Sequence, residues 1–183
     1  MTVLTESRMT VDEYLAWAEA HPGRYELFRG EVFPTPPETT GHVKIKGAVY
    51  RALYAAVRES GCPCHVLSDG ATIRIDSMTA YEPDALVYCE PERALSNIEV
   101  PEPIILVEVL SPSTRQLDAS VKLTGYFRLP SVAHYLIVDP VEPMIVHHSR
   151  KPGQDIVTRV VTEGVIRLEP PGFEIALTDI YGA

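Results

Sequence analysis

Cysteine is scarce in this chain of 183 residues, and long apolar stretches are missing. Three cysteines, an odd number, do not make the disulfide framework that supports small secreted domains. No uncharged apolar run approaches the roughly 20 residues that a membrane helix needs, so we expect no membrane insertion. Because the sequence does not open with a charged leader, an apolar segment and a cleavage site, we expect a cytoplasmic protein.

Positive charge is also in short supply, since 16 lysines and arginines stand against 25 aspartates and glutamates, for a formal charge of −9. This sign excludes a protein that coats nucleic acid non-specifically. Any polyanion that the chain binds must therefore meet a local basic patch or a metal ion. One regular basic stripe exists, in which Lys44, Arg51 and Arg58 recur every seven residues. A solvated helix face explains this stripe as well as contact with a DNA backbone does.

Several motifs that identify common enzymes are absent. The sequence has no Gly-rich phosphate loop, no G-x-S-x-G nucleophile elbow and no H-E-x-x-H metalloprotease motif. Cys62, Cys64 and Cys89 look like metal ligands only superficially, because structural zinc sites favour two or more residues between paired cysteines. We therefore predict no zinc site at these cysteines.

The composition is that of a folded protein, with 45% hydrophobic and 22% charged residues, and the length predicts one domain over residues 1–183. Thr10 and Glu13 give a capping-box signature ahead of a short first helix. Apolar residues at three- and four-residue spacing predict the longest helix over residues 42–60. A third helix is predicted over residues 119–129, with Asp118 as its N-cap.

Strand signals fill most of the remaining sequence. A small hairpin is predicted over residues 25–33, and the other predicted strands of the core are 71–76, 85–88, 104–110 and 135–138. Short strand-like segments separated by glycine-containing turns then form a β-rich tail over residues 145–177. The pattern predicts an α+β fold in which a mixed sheet is flanked by helices, with a core of about residues 9–140.

A glutamate interrupts the apolar segment 104–110, where a buried strand is predicted. An unpaired carboxylate is costly to bury, so Glu108 needs a cation, a hydrogen-bond donor or a metal ion. The alternative is that Glu108 lies on an edge strand and points to solvent, because side chains alternate between the faces of a sheet.

A second acid, Asp84, follows Pro83 and immediately precedes the apolar segment 85–88. A hairpin-like return of the chain would place Asp84 beside Glu108. Two adjacent carboxylates repel each other, and Mg²⁺ or Mn²⁺ relieves that repulsion while accepting hard oxygen ligands. The alternative is that the Pro-Asp pair is only a turn that opens the strand.

Two helices carry further candidates. Asp118, Lys122 and Tyr126 fall at four-residue intervals along one face of the third helix. A lysine there could orient a water or stabilise charge on a phosphate, and the alternative is an exposed ion pair between Lys122 and Asp118. His42 shares a face with the apolar residues of the longest helix and so points inward, either as a ligand or acid-base group or as a core histidine.

The order of these residues resembles a known family. The ordered set is Glu31, His42, Pro83-Asp84, Glu108-Val109-Leu110-Ser111-Pro112-Ser113-Thr114, Asp118, Lys122 and Tyr126. Over about residues 9–140 the chain resembles the Uma-type restriction endonucleases, a branch of the PD-(D/E)XK nuclease superfamily. The resemblance implies a restriction-endonuclease-like α/β/α fold, in which acidic residues gather at one edge of a central mixed sheet around a divalent metal ion. This ion would be Mg²⁺, with Mn²⁺ as a substitute.

The resemblance also assigns residues to the site. Asp84 and Glu108 match the two metal-binding acids, and Lys122 matches the lysine that this branch carries on the following helix. In the wider superfamily the lysine lies two residues after the acid, where this chain has Leu110. The assignment therefore requires the helix lysine to fold back to the site.

Three more positions complete the implied catalytic machinery. The Val109 carbonyl would join Asp84 and Glu108 as a metal ligand, and His42 and Glu31 match supplementary positions that could bind a second metal or relay a proton. The implied reaction is metal-assisted hydrolysis of DNA phosphodiester bonds, in which a homodimer would let both strands be cut. Two alternatives stay open: a catalytically inactive scaffold or partner-binding protein, and a metal-dependent hydrolase of small phosphoesters.

Overall fold

A computed structural model describes residues 4, 7–89, 94, 96–110 and 117–182 of the protein, without the side chains of residues 117–119. The helices are α1 (Val11–Ala20), α2 (Thr40–Ser60), α3 (Leu117–Tyr126) and α4 (Leu177–Tyr181). The strands are β1 (Tyr25–Phe28), β2 (Glu31–Pro34), β3 (Cys64–Ser68), β4 (Ile73–Asp76), β5 (Thr79–Tyr81), β6 (Ala85–Cys89), β7 (Pro103–Val109), β8 (His134–Val138), β9 (Ile145–Ser149), β10 (Val157–Val161), β11 (Val165–Leu168) and β12 (Phe173–Ala176).

The first two helices begin with capping hydrogen bonds, α1 at the predicted capping box and α2 two residues before its predicted start at residue 42. The Thr10 hydroxyl accepts the Glu13 N–H, and the Glu13 carboxylate accepts the Thr10 N–H, which confirms the capping box of α1. Helix α2 starts after Thr39, whose hydroxyl accepts the His42 N–H at 3.2 Å. It ends at Gly61, whose φ of 67° is a left-handed conformation that suits glycine.

The central sheet contains six strands in the order β10-β9-β8-β7-β6-β3. Strands β7 and β8 are parallel, and the other neighbouring pairs are antiparallel, so the sheet is mixed as predicted. Strands β9 and β10 of the predicted tail extend this sheet, whereas β11 and β12 form a separate hairpin. The cysteines of β3 and β6 that lie opposite each other, Cys64 and Cys89, form a disulfide bond that their spacing did not predict.

Each face of the central sheet is covered by a helix, which confirms the predicted layers. Helix α2 packs on one face together with α4 and the β11–β12 hairpin. Helix α3 packs on the other face, beside a four-stranded sheet in the order β2-β1-β5-β4. Within the described residues, no helix combines the length and the apolar character that crossing a bilayer requires.

Some predicted boundaries were wrong. Helix α3 begins at Leu117, so Asp118 is its second residue and not its N-cap, and the Asp118 side chain lies outside the described residues. The helix ends at Tyr126 and not at residue 129, because the Arg128 and Leu129 N–H groups bond carbonyls three residues back in a tight turn. Segment 111–114 of the resemblance also lies outside the described residues.

Strands β3 and β5 and helix α4 were not predicted, because each is too short to show a clear period.

Candidate active site

Asp84 and Glu108 are neighbours in the folded protein. Asp84 lies directly before β6, which runs antiparallel to β7, the strand that carries Glu108. The Asp84 N–H donates to the Val107 carbonyl at 3.0 Å, and the Val109 N–H donates to Asp84 Oδ2 at 2.7 Å. The hairpin-like return that the sequence predicted therefore places the two acids side by side.

Glu108 does not lie on an edge strand, since β7 is paired with β6 on one side and β8 on the other. Its side chain is 15% exposed and points toward α3. The Tyr126 hydroxyl donates to Oε1 of Glu108 at 2.6 Å, and Lys122 Nζ donates to the same oxygen at 3.0 Å. Both of these hydrogen bonds are made to Oε1 of the carboxylate and not to Oε2.

The surroundings of Glu108 favour its protonated form. Burial raises the pKa of Glu108 above its ordinary value of 4.5, and the negative charges of Asp84 and Glu26 raise it further. The ammonium of Lys122 opposes this effect without reversing it. A divalent cation beside Glu108 would stabilise the ionised form of the carboxylate, which its surroundings disfavour.

Lys122 is buried, so the predicted alternative of an exposed ion pair is wrong. Its side chain is 7% exposed, and its Nζ atom lies 2.8 Å from Oε1 of Glu26 and 3.0 Å from Oε1 of Glu108. Helix α3 thus brings its lysine back to the strand acid, as the resemblance requires. The lysine is held between two carboxylates.

Helix α2 brings a histidine and a second lysine to the other side of Asp84. Lys46 Nζ lies 2.8 Å from Glu38 Oε1, 2.7 Å from Asp69 Oδ2 and 3.0 Å from Asp84 Oδ1. His42 Nε2 lies 3.7 Å from Asp84 Oδ2 and 3.9 Å from Glu38 Oε1. Three carboxylates therefore converge on one ammonium group, and two of them, Glu38 and Asp84, also lie beside the His42 imidazole.

His42 is the ligand-like member of this group. It is 5% exposed, and neither ring nitrogen has a hydrogen-bond partner among the described residues. One ligand atom each from Glu38, His42 and Asp84 lies within 4.8 Å of the others, which is close enough for the three to hold one metal ion. An unpartnered buried imidazole beside two carboxylates is a donor set that suits a divalent transition metal.

Asp84 has the opposite ionisation from Glu108. Burial alone would raise the pKa of Asp84, but His42, Lys46 and the Val109 N–H together outweigh burial and hold the pKa at about 2. The pKa of Glu38 is also lowered, because Lys46, Arg24 and His42 outweigh its burial. Asp84 is therefore ionised at neutral pH and ready to bind a cation.

The whole arrangement has an excess of negative charge. We call it the acidic cluster, and it consists of the carboxylates Glu26, Glu38, Asp69, Glu82, Asp84 and Glu108 with the cations Arg24, Lys46 and Lys122. Six carboxylates thus meet three side chains of fixed positive charge. Burial raises the pKa of Glu82, and the negative charges of Glu26 and Asp69 raise it further against the opposing charge of Arg24. A divalent metal ion fits this donor set, because it would supply hard positive charge to oxygen ligands.

Not every predicted residue belongs to the cluster. Glu31 begins β2, its side chain is 40% exposed, and its described ion pair is with Arg8 at 3.9 Å. Val109 contributes its N–H to Asp84, and the role of its carbonyl as a metal ligand stays a prediction.

Several residues of the cluster were missed by the sequence reasoning. Glu38 lies four residues before His42, and Lys46 lies four residues after it. Because residues four apart share a helix face, the same reasoning that predicted an inward His42 also predicts an inward Lys46. Glu26 and Asp69 carry no such signal, because strand pairing and a loop bring them to the site.

Comparisons with known proteins agree with the resemblance. The chain is similar to the "Uncharacterized protein slr1290" of Synechocystis, with 26% identity over 176 residues that cover 95% of this chain and 92% of that protein. A second Synechocystis protein, "Uncharacterized protein sll1609", is 26% identical over 152 residues, which cover 82% of this chain and 85% of that protein.

The fold is similar to that of a crystal structure described as "a putative nuclease belonging to DUF820" from Anabaena variabilis. The TM-score is 0.71 at 16% sequence identity, over 94% of this chain and 97% of the other. The family model for Uma2, described as "Putative restriction endonuclease", matches residues 11–179. Since this match spans nearly the whole sequence, the chain belongs to the Uma2 family.

Proposed function

We propose that the protein is a metal-dependent endonuclease that hydrolyses DNA phosphodiester bonds. The observation that carries the proposal is the convergence of Asp84, Glu108 and Lys122 in a buried cluster with too few cations for its carboxylates. Two adjacent acids and a lysine are what metal-assisted attack on a phosphodiester requires. Membership of the Uma2 family supports the same substrate class.

In this proposal Asp84 and Glu108 hold the metal ion, Mg²⁺ or Mn²⁺, with the Val109 carbonyl as a further ligand. When bound, the ion lowers the pKa of a coordinated water and neutralises charge on the scissile phosphate. His42 belongs to the ligand set through its unpartnered ring and its distance of 3.7 Å from Asp84. Glu31 lies outside the acidic cluster, with Arg8 as its described partner, so the proposal does not rely on the supplementary role that the resemblance gives it.

The protein's own groups position the reaction. The Tyr126 hydroxyl fixes Oε1 of Glu108, and the Val109 N–H fixes Oδ2 of Asp84, so both acids are held in place before any substrate binds. Lys122 reaches the phosphate or the attacking water with its ammonium and stabilises the charge that develops in the transition state. Burial strengthens this interaction, because solvent screens it little.

Further features of the proposal come from the nuclease class and not from single residues. DNA is the substrate, and a homodimer would present two acidic clusters to the two strands.

The experiment is a cleavage assay on supercoiled plasmid and on single-stranded DNA, in Mg²⁺, Mn²⁺ or EDTA. We expect cutting in metal that is lost in EDTA and reduced by about 100-fold or more in Glu108→Gln and Lys122→Met. Glu31→Gln is the matched control, because it removes a carboxylate of the same type outside the cluster and should cut normally.

Other results would contradict the proposal in different ways. Absence of cutting in every condition, with no metal binding that depends on Glu108, would indicate a scaffold. Hydrolysis of a small phosphodiester such as bis(p-nitrophenyl) phosphate without cutting of DNA would indicate a phosphoesterase.

A further inference from the structure

A groove of about 350 Å³ lies between α3 and the four-stranded sheet, next to the acidic cluster. We call it the arginine groove, because Arg29 and Arg128 line it. Its other lining residues include Thr79, Ser120, Thr124 and one carboxylate, Asp76. The Thr124 hydroxyl donates to the Ser120 carbonyl at 3.0 Å, so the guanidinium groups are the phosphate donors that the groove offers.

Arg29 lies in the groove with an unfavourable backbone conformation. It has a φ of 52°, and it is the one residue other than glycine with a positive φ in the described part of the chain. The turn Arg29-Gly30 connects β1 and β2 in two residues, where asparagine or glycine would adopt this conformation more easily. The turn does not require an arginine at this strained position, which indicates that the Arg29 side chain has a function.

The charge of Arg29 is not neutralised by any carboxylate among the described residues. Its guanidinium lies 5.1 Å from the centre of the Phe28 ring, and it forms no ion pair with a described carboxylate. Arg128 is 60% exposed in its side chain and bonds Asp76 at 2.9 Å. Arg8, which is 69% exposed in its side chain, adjoins the same turn. Three exposed arginines therefore gather at one end of an otherwise acidic protein.

Tyr81 connects the arginine groove to the acidic cluster. It lines the groove, its ring lies 5.7 Å from Lys122 Nζ, and it packs edge to face on Tyr126, which bonds Glu108. Helix α3 presents Lys122 to the cluster and Gly125 to the groove, and the turn after the helix brings Arg128 to the groove. Each DNA strand carries one phosphate per about 3.4 Å of helix axis, so a strand that crosses the cluster reaches the adjoining groove within a few nucleotides.

We propose that the arginine groove holds the phosphate backbone of DNA beside the phosphate that is cut. This inference rests on the proposed function and names the surface through which an acidic protein meets its polyanionic substrate. The basic stripe on α2 is not that surface, because Lys44, Arg51 and Arg58 lie on the exposed face of the helix, opposite His42 and Lys46.

The test is binding of a fluorescently labelled DNA duplex to the full chain in EDTA, followed by fluorescence anisotropy over a range of salt concentrations. We expect Arg29→Gly and Arg128→Gln each to weaken binding by about tenfold and to reduce the slope of log affinity against log salt by about one. The matched control is a triple change in the α2 stripe, Lys44→Gln, Arg51→Gln and Arg58→Gln, which should bind DNA as the parent does.

Arg29→Gly also separates binding from folding. Glycine adopts a positive φ without strain, so this variant should melt at the same temperature as the parent or higher while it binds DNA more weakly. Loss of affinity in the stripe variant alone, equal affinity in all variants, or no binding of DNA at all would overturn the inference. Because binding is measured without metal, these results are independent of the cleavage assay, which tests the proposed function by itself.

Discussion

Lys122 Nζ lies 3.0 Å from Oε1 of Glu108, although one residue belongs to a helix and the other to a central strand. The position two residues after Glu108 holds Leu110, so the strand supplies no lysine of its own. Helix α3 compensates by packing on the face of the sheet to which Glu108 points. The acid and the lysine are therefore in contact, although they are 14 residues apart in the sequence.

Metal binding should release a proton from Glu108. Its pKa is raised above 4.5, so the folded protein keeps this proton at pH values where a free glutamate has lost it. A cation binds the ionised form, and its affinity should therefore rise with pH above 4.5, whereas Asp84, with a pKa of about 2, adds nothing to this trend. Calorimetry of Mn²⁺ binding in buffers of different ionisation enthalpy measures the number of protons that binding releases. An affinity that is independent of pH, or equally pH-dependent in Glu108→Gln, would contradict this prediction.

Removing Lys46 should make the protein depend on metal for stability. Lys46 is the ammonium on which Glu38, Asp69 and Asp84 converge, so Lys46→Met leaves three carboxylates without that charge. We expect a loss of about 3 kcal/mol in the free energy of unfolding in EDTA, and a larger rise in melting temperature with Mn²⁺ than the parent shows. Lys44→Met, on the exposed face of α2, is the control. Equal responses of the two variants to Mn²⁺ would be inconsistent with a cation site at this position.

Gly125 is a packing requirement of α3. A Cβ atom there would lie 2.8 Å from Cε2 of Tyr81, closer than carbon atoms approach without displacement. Gly125→Ala should therefore lower the free energy of unfolding by about 1–2 kcal/mol, since the clash exceeds the gain in helix propensity. Gly47→Ala in α2 meets only Arg51 Nη1 at 3.6 Å and should gain up to about 1 kcal/mol. Chemical denaturation compares the two, and a gain for both would show that Tyr81 moves aside freely.

The buried histidine pair should make stability depend on pH. His134 Nε2 lies 2.8 Å from the Pro170 carbonyl, to which it must donate, so its Nδ1 accepts from His147 Nε2 at 2.9 Å. Burial and then His134 lower the pKa of His147 to about 4, from 6.5. The stability from this pair is complete above pH 6.5 and is lost as pH falls toward about 4, because the unfolded chain then binds more protons.

A substitution isolates this contribution. In His147→Gln the slope of unfolding free energy against pH in this window should fall by up to about 1.4 kcal/mol per pH unit. His21→Gln, at an exposed position, is the matched control, and an unchanged slope in His147→Gln would refute the assignment.

The sequence predicted the parts of the site that depend on regular patterns. An apolar run interrupted by one acid identified Glu108, and the inward face of α2 identified His42, because burial of a polar group in a periodic segment is visible in the sequence. Glu26 and Asp69 could not be found in this way. They reach the cluster through the pairing of β1 with β5 and through the loop after β3, and these are long-range contacts without a local period.

The boundary of α3 shows a second limit. Its start was placed from a capping residue, Asp118, but the helix begins at Leu117, and its end was placed from the proline at position 130. Tight turns after Tyr126 end the helix earlier, because the Arg150 guanidinium bonds the carbonyls of Phe127 and Leu129. A partner so distant in sequence leaves no trace in the local pattern.

The central claim is that Asp84 and Glu108 together hold a divalent metal ion. The most direct measurement is anomalous diffraction from crystals of the full chain soaked in Mn²⁺, with Asp84→Asn as the matched variant. The account predicts an anomalous peak within coordination distance of carboxylate oxygens from both residues, and no peak there in the variant. Absence of a peak at the acidic cluster, or a peak that persists in Asp84→Asn and contacts neither acid, would contradict it.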